Sequence, residues 1–145
     1  MGDGEEPQLS PDAWTGEAKA LCGLPNYRWG IDLYNAGYYW EAHEAWEQLW
    51  RQAVAESPAH QLLQGLIQST ASALKARVQQ WSACRKLADR GLDRLRQVAE
   101  SNDMHHFGFD LPVFVEKFES YVTAAIGGDE TNELSPPPLF LHSTH

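Results

Sequence analysis

Residues 58–78, PAHQLLQGLIQSTASALKARV, constrain the fold more than any other stretch of the chain. Projected at about 100° per residue, Leu62, Leu63, Leu66, Ile67, Thr70, Ala73 and Leu74 cover most of a helical circumference. A helix apolar around most of its girth must be covered on more than one side, so it runs through the middle of its domain. Ser57-Pro58 marks its start, with serine as N-cap and proline at the first helical position. Gly65 and Ala71 would let a neighbouring helix approach closely.

The other segments supply the cover. Ser10-Pro11 predicts a short helix to Leu21, ended by Gly23 and Pro25. A second helix is expected over Tyr27–Ala36, with Gly37 at its C-terminal junction. The stretch YYWEAHEAWEQLW, with no glycine, proline or β-branched residue, predicts a third helix from Tyr38 to about residue 55. After the central helix, Ser82 can cap another, whose apolar positions Cys84, Leu87, Ala88, Gly91, Leu92, Leu95, Val98 and Ala99 keep a helical period. SNDMHHFGFD reads as a loop rich in breakers. Asp110 caps a last helix with the stripe Leu111, Phe114, Val115, Phe118, Tyr121, Val122 and Ala125, stopped by Gly127-Gly128. No alternating β pattern occurs. The expected architecture is an all-α, single-domain bundle of five to six helices, mostly antiparallel neighbours, over residues 11–126. An acidic tail, residues 1–10, precedes it, and a proline-containing tail, residues 127–145, follows. That last tail can dock Leu139, Phe140 and Leu141 on the body or remain free.

Polar residues interrupt two of these helices. On the third, Tyr39, Ala42, Trp46, Leu49, Trp50 and Ala53 gather on one side, while Trp40, His43, Glu44, Glu47 and Arg51 gather beside them. Glu41 falls elsewhere and faces solvent. On the central helix, Gln61, Gln64, Gln68, Ser72 and Lys75 make a polar strip. A buried unpaired amide costs about 1–3 kcal/mol, so Gln64 and Gln68 need partners. A short loop makes the two helices antiparallel neighbours. The expectation is therefore a polar seam of His43, Glu44, Glu47, Arg51, Gln64 and Gln68. The aromatics Tyr39, Trp46, Trp50, Phe114 and Phe118 read as core.

His43, Glu44 and Glu47 could hold a divalent metal, the one cofactor the sequence suggests, completed by His60 or by His105-His106. The spacing is neither His-Glu-x-x-His nor the Glu-x-x-His of di-iron bundles, and the central helix brings amides rather than carboxylates. No nucleophile motif and no phosphate-cradling glycine loop is present. The alternative is a hydrogen-bond network that only fixes helix packing.

The net charge of −9 disfavours nucleic acid as a partner. Seven of the eleven Lys and Arg nevertheless fall between Lys75 and Arg96. They read either as a solvated face with i,i+4 ion pairs or as a docking surface for an anionic partner along residues 85–96. No apolar run approaches the ~20 residues that span a membrane. Cys22 and Cys84 are isolated, and the start MGDGEEPQLS carries no secretory pattern, which points to a reduced, cytosolic setting. Self-association is left open.

Two motifs carry a family resemblance. The first is Asn35, Gly37, Trp40, Glu41, Ala42, His43, Glu44, Glu47, Trp50 and Arg51; the second is Gln64 to Gln68, Gln-Gly-Leu-Ile-Gln. Over about residues 27–98 the chain resembles the bacterial and archaeal helical proteins of domain of unknown function family 309. The resemblance implies a compact all-α fold and supplies no activity. Members often carry a histidine where this chain has Lys75, and Gly-Asn where it has Gln79-Gln80. A metal site that relied on that histidine would be incomplete here.

The functional expectation is a small non-catalytic structural or interaction module whose polar seam sets helix packing. Two further readings are a metal-assisted hydrolase using His43, Glu44 and Glu47, and a docking module for an anionic partner through Arg85, Arg90, Arg94 and Arg96.

Overall fold

The computed structural model describes residues 16–101, 107–128 and 135–141. A 3-10 helix, Ala18–Gly23, leads into five α-helices: α1 (Pro25–Asn35), α2 (Tyr39–Trp50), α3 (Pro58–Arg77), α4 (Trp81–Ala99) and α5 (Leu111–Ile126). No strand occurs among the described residues. The expected all-α bundle is the observed fold. The helix start expected at Ser10-Pro11 and the histidines His105 and His106 lie outside the described residues.

Capping chemistry sets several boundaries. The Ser57 hydroxyl accepts from the His60 amide at 3.2 Å, and the Asp110 carboxylate accepts from Val113 at 3.2 Å. Both helices then place proline in their first turn, where its missing N–H costs nothing. Helix α1 ends in a left-handed turn at Gly37, φ +88°, closed by Gly37 N–H to Tyr34 O and Tyr38 N–H to Leu33 O. Helix α3 ends in the same way, through Gln79 N–H to Ala76 O and Gln80 N–H to Lys75 O. There the left-handed residue is Gln79, φ +60°.

Two boundaries differ from expectation. Helix α2 stops at Trp50 and does not reach residue 55. Gly16 lies against Gln52 O and Val54 N, so closely that a Cβ would come within 2.9 Å and 3.0 Å of them. This docked segment bends the chain away through 3-10-type bonds at Gln52 and Ala53. Helix α4 begins at Trp81, one residue before Ser82, with no side-chain cap on Gln80. The tight Gln79-Gln80 turn fixes that entry, so Ser82 falls inside the first turn.

Helix α3 is the hub. Leu62, Leu63 and Leu66 are buried, and its neighbours are chiefly α2 and α4. Contacts of Trp50 with His60 and of Tyr39 with Arg77 run α2 antiparallel to α3. Gly65 meets Gly91, and the Ser72 hydroxyl donates to Cys84 O at 2.8 Å, which runs α4 antiparallel to α3. Helix α1 lies antiparallel to α2, with Gly30 against the Trp46 indole and Trp46 Nε1 donating to Tyr27 O at 3.2 Å. Helix α5 buries Phe114, Phe118 and Val122. The C-terminal segment docks. Leu139 is buried, and its amide and carbonyl both bond the Asn35 side chain, at 2.8 Å and 2.6 Å. Phe140 points outward, 72% exposed.

Candidate functional site

The first motif divides between structural and surface roles. Asn35 clamps Leu139, Gly37 supplies the left-handed turn, and Ala42 is fully buried. Trp50 stacks on His60 of α3 with ring centroids 4.9 Å apart. The remaining residues follow one line along the outer face of α2. Trp40 is 56% exposed, yet its ring lies parallel to the His43 imidazole, 9° apart with centroids at 5.4 Å. One turn on, His43 Nε2 is 3.8 Å from Glu47 Oε2, and Glu47 Oε1 accepts from Arg51 Nη2 at 2.7 Å. This order follows from the sequence: positions 43, 47 and 51 are successive i,i+4 neighbours, and 40 is one turn before 43. Glu44 and Glu41 are exposed beside the line.

His43 and Glu47 are brought together as expected, but α3 does not close the seam. Gln68 Oε1 accepts from Arg94 Nε at 3.2 Å, and Gln61 Oε1 from Arg94 Nη1 at 2.8 Å, both on α4. No hydrogen bond joins Gln64 or Gln68 to His43, Glu44 or Glu47 among the described residues. The antiparallel register does bring these residues level with one another. Their directions differ: Gln61 and Gln68, two turns apart, lie on the side of α3 that faces α4. The expected single seam is therefore two separate polar sets.

Both sets leave marks. At the α3–α4 crossing a Cβ on Gly91 would stand 2.9 Å from both Gly65 O and Ser69 Oγ, so the backbones touch. The buried Ser69 hydroxyl has no hydrogen-bond partner there among the described residues. On the α2 side, the buried His43 Nδ1 and Trp50 Nε1 also have none among the described residues. A buried donor or acceptor left unpaired costs about 1–3 kcal/mol. The His60 imidazole is held below its ordinary pKa, first by burial and then by the Arg94 charge, with Glu56 opposing.

The metal reading asked for three converging donors. Glu44 turns to solvent, and no group of three or more His, Cys, Asp and Glu side chains able to hold a metal occurs among the described residues. The basic helix is partly committed elsewhere. Arg85 binds Asp89 and Glu119, each at 2.7 Å, and Arg96 binds Asp93 at 3.1 Å. The Arg85 guanidinium, through its hydrogen bonds, holds the Glu119 carboxyl below the usual range. Arg94 lies against α3, which leaves Lys86 and Arg90 exposed.

One feature escaped the sequence reading. A cleft of about 540 Å³ opens where the start of α2, the end of α3, the start of α4, the end of α5 and Ser135-Pro136 meet. Its walls include Tyr39, Arg77, Trp81 and Tyr121. These residues come from four different helices, so no local pattern announces them.

The fold and these polar sets define a small all-α bundle built on an antiparallel α2–α3–α4 core. Residues 27–87 match the model of a protein family described as Domain of unknown function (DUF309), the same family that the two motifs resemble. The matched segment runs from the first turn of α1 into the second turn of α4 and includes every motif residue. No curated protein and no solved structure matches the chain.

Proposed function

We propose that the chain is a helical interaction module that engages a partner protein through the outer face of α2. The observation that supports this is the Trp40–His43 stack: a tryptophan ring more than half exposed, yet held parallel to an imidazole. Tryptophan, tyrosine and arginine supply most interface hot spots. Here Trp40 and Tyr38, both over half exposed, stand at one end of the line, and Arg51 stands at the other. A side chain ordered before binding loses less entropy when it binds. The Glu47–Arg51 pair and the exposed Glu44 would give the partner a mixed-charge rim. In this reading α3 and α4 are the rigid support, and the module performs no chemistry of its own.

The test is a photo-reactive phenylalanine derivative placed at position 40 or at position 86 in the cells that make the protein. The expected result is one discrete crosslinked product from position 40, lost on adding Arg51→Ala, and none from position 86. Equal products from both positions overturn the reading. So does a stoichiometric, tightly held metal in the purified protein that His43→Ala removes.

A further inference from the structure

The cleft between α2, α3, α4 and α5 is a second site, independent of the α2 face. Arg77 stands at its mouth. The guanidinium lies 4.5 Å above the centroid of the Tyr39 ring, and Nη2 donates to Gly37 O at 3.1 Å. These contacts fix the group in place, and both are to neutral partners. Among the described residues no carboxylate pairs with it, in a chain whose net charge is −9. Arg77 therefore presents a positioned guanidinium with donors to spare, since arginine carries five N–H groups.

The other walls define what such a group would hold. Tyr39 and Tyr121 contribute phenol groups. Burial raises the pKa of both, that of Tyr121 to about 12, so each hydroxyl keeps its proton at neutral pH and can donate. Ala73, Ala76 and Ala125 give small apolar side chains, and Trp81 adds an aromatic wall. At about 540 Å³ the cleft lies within the range of small-molecule sites, about 300–1,000 Å³. It is far larger than a simple ion needs. One cation matches one negative charge, and the planar guanidinium fork matches a carboxylate. A phosphate ester would bring close to two negative charges at neutral pH, about −1.5 to −2, into an already acidic protein.

We propose that this cleft binds a small organic carboxylate with a ring-sized apolar body, its carboxylate on Arg77 and its body against the alanine wall beside Trp81. The Tyr39 and Tyr121 hydroxyls serve as further donors to the carboxylate.

The test is titration of the ¹⁵N-labelled full chain with benzoate, phenylacetate and indole-3-acetate, read at the Trp81 indole N–H, which Trp81→Phe assigns. The expected result is a saturable shift with at least one acid. Benzamide, the neutral counterpart of benzoate, binds at least about tenfold more weakly, since a charged hydrogen bond is lost. Arg77→Gln weakens the acid by a similar factor, while Lys86→Gln on the exposed face of α4 leaves it unchanged. Tyr121→Phe keeps the ring and weakens binding several-fold, which serves if Arg77→Gln does not fold. No saturable shift with any of the three acids overturns the proposal. Equal binding of benzamide and benzoate overturns it too, as does a folded Arg77→Gln protein that binds like the unaltered chain. Tighter binding of phenyl phosphate overturns the carboxylate assignment. Trp40→Ala leaves this titration intact, so the two proposals fail separately.

Discussion

The α3–α4 crossing and the outer face of α2 are built from similar residue types and reach opposite outcomes. At the crossing, Arg94 is matched to Gln61 and Gln68, Ser72 is matched to Cys84 O, and two glycines bring the backbones into contact, with the Ser69 hydroxyl beside them left without a partner among the described residues. On α2, Trp40, His43, Glu47 and Arg51 satisfy one another only in part, and His43 Nδ1 is left over. Side chains that answer another helix specify packing. Side chains that answer only their own helix leave capacity for something outside. Glutamine, arginine and histidine have no fixed role in this respect; the role depends on whether a second element comes within reach.

The crossing is most vulnerable to being forced open. Gly91→Ala puts a Cβ against Gly65 O and the Ser69 backbone, and neither can swing aside as a long side chain would. Overpacking of this kind costs about 1–3 kcal/mol. Urea unfolding followed by circular dichroism is expected to show the midpoint falling by a corresponding amount. An unchanged midpoint would mean that the helices are not in backbone contact.

A matched pair of substitutions sharpens the contrast. Arg94→Ala strands two half-buried amides and is expected to cost about 1 kcal/mol, a charged hydrogen-bond value discounted for partial exposure. Arg51→Ala removes only an exposed i,i+4 ion pair, worth about 0.3–0.5 kcal/mol. The same unfolding measurement compares them. If Arg51→Ala costs as much as Arg94→Ala, the α2 line is a structural network like the crossing, and its surplus capacity is illusory.

Much of the frame was legible in the sequence. The Ser57 and Asp110 caps, the Gly37 turn and the stripes of α4 and α5 are local signals, and local chemistry decides them. The central place of α3 followed from apolar residues around its girth. What periodicity cannot supply is the identity of the neighbour. It placed Gln68 on a definite side of α3, but whether α2 or α4 lay there was a tertiary fact, and α4 supplied Arg94. The early end of α2 is similar. Ala53 and Ala55 suit a helix, and the chain turns because Gly16, remote in sequence, lies against Gln52 and Val54. The Arg77 cleft needs several elements at once, so no single stretch could reveal it.

The joint between α3 and α4 is the strained point of the otherwise matched side. Gln79 holds φ +60°, a conformation that costs a side-chain-bearing residue energy and costs glycine little. Gln79→Gly is expected to stabilise the protein by about 0.5 kcal/mol, the released strain exceeding the entropy that glycine adds to the unfolded chain. Thermal unfolding checks the sign. A lower midpoint would mean that the Gln79 side chain contributes more at the cleft rim than its backbone loses.

His60 links the two regions, since it stacks on Trp50 of α2 and feels the Arg94 charge from α4. Its Nδ1 accepts from the Glu56 amide at 3.4 Å, which requires the neutral ring. Burial and Arg94 both hold its folded pKa below the ordinary value of 6.5, only partly offset by Glu56. The unfolded chain then binds the proton more readily than the folded one. The His60 contribution is therefore fully present above about pH 6.5 and is lost as pH falls through the lower folded value. Proton NMR titration of the imidazole is expected to give a midpoint below 6.5 in the intact chain, and Arg94→Ala should move it upward. The effect is small because His60 is only partly buried. A midpoint unmoved by Arg94→Ala would show that the matched side and the open side of α3 do not communicate through this ring.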